Sequence, residues 1–179
     1  EKIESRLVTT SGTCAVMGTA STMACITETL GMELPGTAAI PAIHADRLRA
    51  AEASGAQAVH LAQIDRDKQL TPKKIITPAS VENALRILLA VGGSTNAIIH
   101  LTAIAGRLGI PIPLQQLNKL SDETPVLIDL KPTGDHYMED LFKAGGLGVV
   151  LRELKPLLNL ECLSVTGETL NKRLQSEPA

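Results

Sequence analysis

Apolar positions in the middle of the chain recur with the period of buried helices. Val81, Ala84, Leu85 and Leu88 fall three, four and seven residues apart, and Ile87 and Leu89 fill the flanks, predicting a helix apolar nearly all round and hence deep in a core. Thr77 and Pro78 before it read as an N-cap followed by proline in the first turn. Gly92-Gly93 breaks that helix and Ser94 can cap the next. In the second helix Ala97, Ile98, Leu101, Ile104, Ala105 and Leu108 form one stripe, which Gly109 and Pro111 stop.

Upstream, Ala20, Met23, Ala24, Thr27 and Leu30 share a helical face that ends at Gly31. Leu34-Pro35-Gly36 is a turn, and Pro41 is expected to open a helix from Ala42 to about Ser54, ended by Gly55. A further helical piece is expected through Ala58, Val59 and Leu61, then a polar connection from Asp65 to Thr77. Downstream, Leu114 to Leu120 reads as a short helix and Pro125 to Leu130 as a strand, a brief apolar run between turn residues. Pro132-Thr133-Gly134 turns into an amphipathic helix from Tyr137 to Ala144, closed by Gly145-Gly146. Another helix starts between Gly148 and Leu154, a second strand is expected over Glu161 to Val165, and a final helix follows Thr166-Gly167. Many helices around few strands predict a helix-rich, partial three-layer α/β domain with an incomplete sheet.

Composition narrows the class. A length of 179 residues suits one core, and a single Phe, a single Tyr and no Trp mean that core is aliphatic. The net charge of −2 and the shortage of aromatic rings give nucleic acid neither an electrostatic patch nor a stacking surface. No apolar run is long enough to span a membrane, and the charged start EKIESR is unlike a signal peptide. Three widely spaced cysteines do not make a disulfide framework, so a reducing, cytoplasmic setting is expected. The abrupt ends and the missing initiator methionine suggest a piece of a longer protein.

Two stretches could carry chemistry. In Ser11-Gly12-Thr13-Cys14, the cysteine sits just before a helix start, where free N–H groups and the helix dipole favour negative charge and so the thiolate that attacks or ligates a metal. A small buried core residue is the other reading. Cys25 in the following helix and Cys162 in the expected strand read as core fillers, and no CxxC pair or His/Cys cluster accompanies Cys14. In Gly92-Gly93-Ser94-Thr95-Asn96, glycines at a helix start could let backbone N–H groups meet a carboxylate or phosphate, although the lysine and spacing of a Walker loop are missing. A tight helix corner with a serine cap explains the same residues. His100, four residues after Asn96, could share its face but reads as making one local hydrogen bond; His44, His60 and His136 have no partner at ligand spacing, and Gly145-Gly146-Leu147-Gly148 reads equally as an anion cradle or as a helix-to-helix turn.

GTCAVMGTASTM, LGMELPG, GGSTNAIIHL, KPTGDHYMEDLFKAGG and SVTGETL, in that order, resemble the dihydroxy-acid and sugar-acid dehydratase family over nearly the whole chain. The resemblance implies a larger hydro-lyase carrying an iron–sulfur cluster, either 2Fe–2S or 4Fe–4S, and Mg2+ at one site. Such an enzyme removes water from a 2,3-dihydroxy carboxylate, with cluster iron as the Lewis acid on the departing hydroxyl. Cys14 matches the third of the three cluster cysteines. The other two, and the aspartate and modified lysine that hold magnesium, belong upstream in the family. Its glutamate ligand and serine base belong to a downstream β-barrel domain. Residues 1–179 thus resemble the later part of the N-terminal α/β domain, without the barrel, and the span alone is expected to be inactive.

The resemblance also makes Gly93, Ser94, Thr95 and Asn96 candidates for lining the substrate site. GTASTM is closer to the aldonate branch than to the YTANTM-like branched-chain amino-acid branch. The expected substrate is therefore a sugar acid, converted to a 2-keto-3-deoxy acid, with the dihydroxy acid of branched-chain synthesis as the alternative. A homodimer or homotetramer is the expected assembly. A catalytically empty, α-rich interaction module is the alternative of another class, distinguished by the reading frame on either side of the span.

Overall fold

In the computed structural model, which describes residues 14–64 and 69–176, helices follow one another with almost no strand between them. They are α1 (Thr19–Thr29), α2 (Ala45–Gln63), α3 (Pro72–Ile75), α4 (Pro78–Ala90), α5 (Asn96–Arg107), α6 (Leu114–Glu123), α7 (Met138–Lys143), α8 (Gly146–Glu153) and α9 (Leu170–Ser176), with a 3-10 turn at Lys155–Leu157. The helix-rich, strand-poor expectation holds. α4 is the central element, and its start is built as the sequence predicts. Thr77 Oγ1 accepts from Ser80 N at 3.2 Å while Ser80 Oγ accepts from Thr77 N at 2.8 Å, so two backbone donors at the helix start are satisfied reciprocally.

Burial on almost every side of α4 divides the core in two. Leu85 and Leu88 face Ile26 of α1, Leu101 of α5 and Leu120 of α6. Ile87 and Val91 face Cys25 of α1 together with Leu147, Leu151 and Leu174 from α8 and α9. Neighbouring residues of α1 therefore enter different halves, which makes α1 and α4 the shared wall. Arg86 crosses from α4 to α6 as a buried guanidinium, paired with Glu82 at 3.3 Å and Glu123 at 3.0 Å.

Three local expectations are corrected. Pro41 does not open α2; it sits in the turn before it, and His44 caps the helix by accepting from Asp46 N at 3.2 Å. α2 then runs straight through Gly55 rather than ending there. Gly55 is exposed with nothing near it, so it costs α2 only about 0.5–1 kcal/mol, and the alanines around it are strong helix formers. Pro125 to Leu130 and Glu161 to Val165 are not strands. The first is extended, gives Leu127 N to Ala90 O at 2.8 Å, and makes one bridge, Leu130 to His136; the second makes one bridge, Leu163 to Thr169. Each folds back on its own turn, so neither finds a neighbouring strand to pair along. Part of the Asp65–Thr77 connection is the short helix α3, and residues 65–68 lie outside the described residues.

The C-terminal end of α1 is held by charge. The Glu28 side chain is fully buried and accepts from Gly36 N at 2.9 Å and Ala38 N at 2.7 Å, which shapes the LGMELPG turn around it. Arg173 of α9 donates to the same carboxylate, and its own side chain is 7% exposed. Gly31 ends α1 with φ +84°, where a Cβ would lie 2.3 Å from Leu163 O. Its carbonyl accepts from Val165 N at 2.7 Å, so the turn at residues 163–165 docks on the end of α1.

Removing Arg173 leaves the Glu28 carboxylate buried without its cation. Arg173→Leu is expected to destabilise the fold by about 3–5 kcal/mol, read as a lower urea midpoint; a change within error would show that the pair carries little. Cys25 is fully buried, and burial, reinforced by the charges of Glu28 and Glu33, pushes its thiol up to about 12 from the ordinary 9.0. The unfolded thiol releases its proton first, so stability contributed here is present below pH 9.0 and is lost as pH rises toward about 12. Urea midpoints measured across that range are expected to fall less steeply in Cys25→Ala than in the parent; parallel slopes would contradict the assignment.

Candidate functional site

Among the described residues, no side chain at the N-cap supports the start of α1. Its N-cap is Gly18, which has no side chain to offer, and its first turn holds no acidic residue. A helix start of that kind leaves N–H groups open. What holds it comes from elsewhere in the fold. Thr19 Oγ1 and Ser94 Oγ are 2.9 Å apart, Asn96 Nδ2 donates to Thr19 Oγ1 at 3.1 Å, and Ser94 N donates to the buried Thr22 Oγ1 at 3.0 Å. The corner between α4 and α5 thus clamps the first turn of α1. Gly93 permits the approach, because a Cβ there would lie 2.6 Å from Thr22 Cγ2 and 2.8 Å from Leu88 Cδ1.

The clamp spends most of the hydrogen bonds that an anion cradle would need. Asn96 N donates to Ser94 Oγ at 3.3 Å, while Ala97 N and Ile98 N donate to Ser94 O and Thr95 O. Thr95 and Asn96 remain exposed, and Thr95 lines a depression of about 270 Å³ with Leu117, Asn118 and Ser121. Thr19 and Thr22 are the residues that the sequence reading missed. Their signal was present: two hydroxyls three residues apart at a helix start that has no cap of its own.

Cys14 stands just before this turn. Ser11, Gly12 and Thr13 lie outside the described residues, but the following residues are tied at two points. Met17 N donates to Lys131 O at 2.8 Å and Met138 N donates to Ala15 O at 2.9 Å, so the KPTGDHYMED loop carries the cysteine loop. Cys14 is half-buried and not in a disulfide. Its Sγ lies 3.1 Å from where a Cβ on Gly18 would sit, so the glycine leaves room for the sulfur over the start of α1. The thiol lines a cleft of about 1240 Å³, whose walls include Ser21 and Ala24 of α1, His44, Tyr137 and Phe142.

The other cysteines face different surroundings. Cys162 is half-buried, its thiol is pushed up by burial, and it receives Asn83 Nδ2 at 3.6 Å. Among the described residues no group of three His, Cys, Asp or Glu side chains could hold a metal ion. Cys14 is a soft donor on an accessible wall, which suits one iron ligand and supplies only one. His136 lies 4.0 Å from both Asp129 and Asp140 at the surface, and Gly145-Gly146 forms the turn between α7 and α8. No helix among the described residues is long and apolar enough to cross a membrane.

Comparison with known proteins agrees with these motifs. The family described as dihydroxy-acid/6-phosphogluconate dehydratase, N-terminal, matches residues 1–173. The chain is 43% identical over 175 residues to a dihydroxy-acid dehydratase of Caldanaerobacter subterraneus subsp. tengcongensis, covering 97% of this chain and 31% of that protein. It is 44% identical over 166 residues to a dihydroxy-acid dehydratase of Methanospirillum hungatei, covering 93% of this chain and 29% of that protein. The chain thus spans about 30% of the length of these curated relatives. With a family match over residues 1–173 and identities of 43% and 44% to these relatives, the chain belongs to the dihydroxy-acid/6-phosphogluconate dehydratase family, as part of its N-terminal domain.

Proposed function

We propose that the chain is the part of a hydro-lyase that presents one thiolate to an iron–sulfur cluster, in an enzyme dehydrating a 2,3-dihydroxy acid. The observation that carries this reading is the Cys14 thiol, held on the wall of the cleft by a loop with two backbone tethers. When bound, the cluster would supply a Lewis-acidic iron to polarise the leaving hydroxyl. The chain's own residues do the positioning. Met17 and Ala15 fix the loop on residues 131–138, Gly18 leaves space for Sγ, and Gly93, Ser94 and Asn96 hold the first turn of α1. Of residues 93–96, Thr95 and Asn96 have surface to offer a substrate. The remaining cluster ligands and the magnesium ligands belong, in this reading, to other parts of the full-length protein.

The names of the relatives favour a dihydroxy-acid substrate over the sugar acid that GTASTM suggested. Thr19 and Thr22, which make the clamp, are common to both versions of the motif; the versions differ at Gly18 and Ser21, and Ser21 lines the cleft beside Cys14.

In the full-length enzyme, Cys14→Ser is expected to lose the visible iron–sulfur absorbance and dehydratase turnover, while Cys25→Ser keeps both at reduced stability. Equal losses from the two changes would remove Cys14 as a ligand. Steady-state kinetics should show kcat/KM higher for a 2,3-dihydroxy-3-methyl acid than for an aldonate; the reverse order would restore the sugar-acid reading.

A further inference from the structure

The geometry points to Thr19, with Ser94 and Asn96, as positioning residues for Cys14. The inference rests on the ligand reading above and adds residues that do not themselves touch the cluster. Three observations converge on it. First, α1 lacks a capping side chain at Gly18, so its first turn is held from outside the helix. Second, the turn closes on Gly18 itself, through Thr22 N to Gly18 O at 2.9 Å, and Cys14 Sγ lies 3.1 Å from where a Cβ on that same Gly18 would sit. Third, the hydroxyl one residue on, Thr19 Oγ1, is bonded to Ser94 Oγ and Asn96 Nδ2 from a corner 75 and 77 residues away.

The chain of support therefore runs from α5 through Thr19 to the start of α1, and from there to the sulfur. The KPTGDHYMED loop holds the cysteine segment from its other side, at Ala15 and Met17. If the clamp opens, the first turn of α1 frays, Gly18 is released, and Cys14 loses one of its two supports. Outer-shell groups of this kind hold a metal ligand in orientation without coordinating it. The function is served by the oxygen, not by the bulk of the side chain. Thr19→Val keeps the shape and removes the acceptor, whereas Thr19→Ser keeps the acceptor.

The test uses the full-length holoenzyme and reads the cluster directly. The measurements are the half-life of its visible absorbance under an iron chelator and the EPR spectrum of its reduced form. Thr19→Val is expected to shorten the half-life by about 10-fold and to alter the EPR spectrum, with Thr19→Ser retaining the parent values of both. A Thr19→Val enzyme with the parent half-life and spectrum would overturn the inference. So would Thr19→Ser failing as badly as Thr19→Val, because the oxygen would then not be what matters. Should Thr19→Val not fold, Ser94→Ala removes the facing hydroxyl and is judged by the same two readouts. Cys14→Ser separates this inference from the reading beneath it. A full cluster in Cys14→Ser refutes the ligand assignment, whereas its loss alongside an unaffected Thr19→Val refutes only the positioning role.

Discussion

A carboxylate in a dry interior has to be answered on every side, and Glu28 imposes that constraint on this fold. Its two oxygens receive Gly36 N, Ala38 N and the Arg173 guanidinium. Satisfying them bends residues 30–39 around the end of α1 and draws α9 against it. The end of α1, the turn that follows it and α9, 145 residues away, are thereby held by one side chain. Glu28 also contributes, after burial, to keeping the neighbouring Cys25 thiol protonated, which makes Cys25 a packing residue in spite of its chemistry.

With that end fixed, α1 is positioned along its whole length. Its flanks enter the two halves of the core through Cys25 and Ile26, and its start is clamped by the corner between α4 and α5. Cys14, on the wall of a large cleft, thus stands just before a helix held at both ends. This division suits a ligand. A thiol can be exposed enough to bind and still be precise in position, provided that rigidity comes from the elements around it. Cys14 meets both conditions, being half-buried on the cleft wall while its loop is tied to the 131–138 loop and its neighbour Gly18 to the first turn.

What was legible in the sequence was local. The α4–α5 pair announced itself through helical periodicity, a Thr-Pro start and a glycine pair, all within short windows. Cys14 before a helix start was legible in the same way. α2 was misjudged because a glycine ends a helix only where the chain must turn, and nothing near Gly55 requires that. The strands were misjudged because a strand is defined by its partner, and the apolar run Pro125 to Leu130 met the end of α4 and its own turn instead. The contacts that matter most were out of reach of any window: Glu28 and Arg173 are 145 residues apart, and Thr19 and Ser94 are 75 apart. The ordered family motifs captured the second contact, since GTASTM and GGSTN meet at the clamp, and a neighbour of the first, since LGMELPG meets SVTGETL at the end of α1.

The central claim, that this helix start exists to present Cys14 to iron, is tested most directly by iron-edge anomalous diffraction from crystals of the full-length protein. The claim predicts an anomalous peak within bonding distance of Cys14 Sγ, with the Met17–Lys131 and Ala15–Met138 hydrogen bonds intact. Iron bound elsewhere, with Cys14 uncoordinated on the cleft wall, would contradict it.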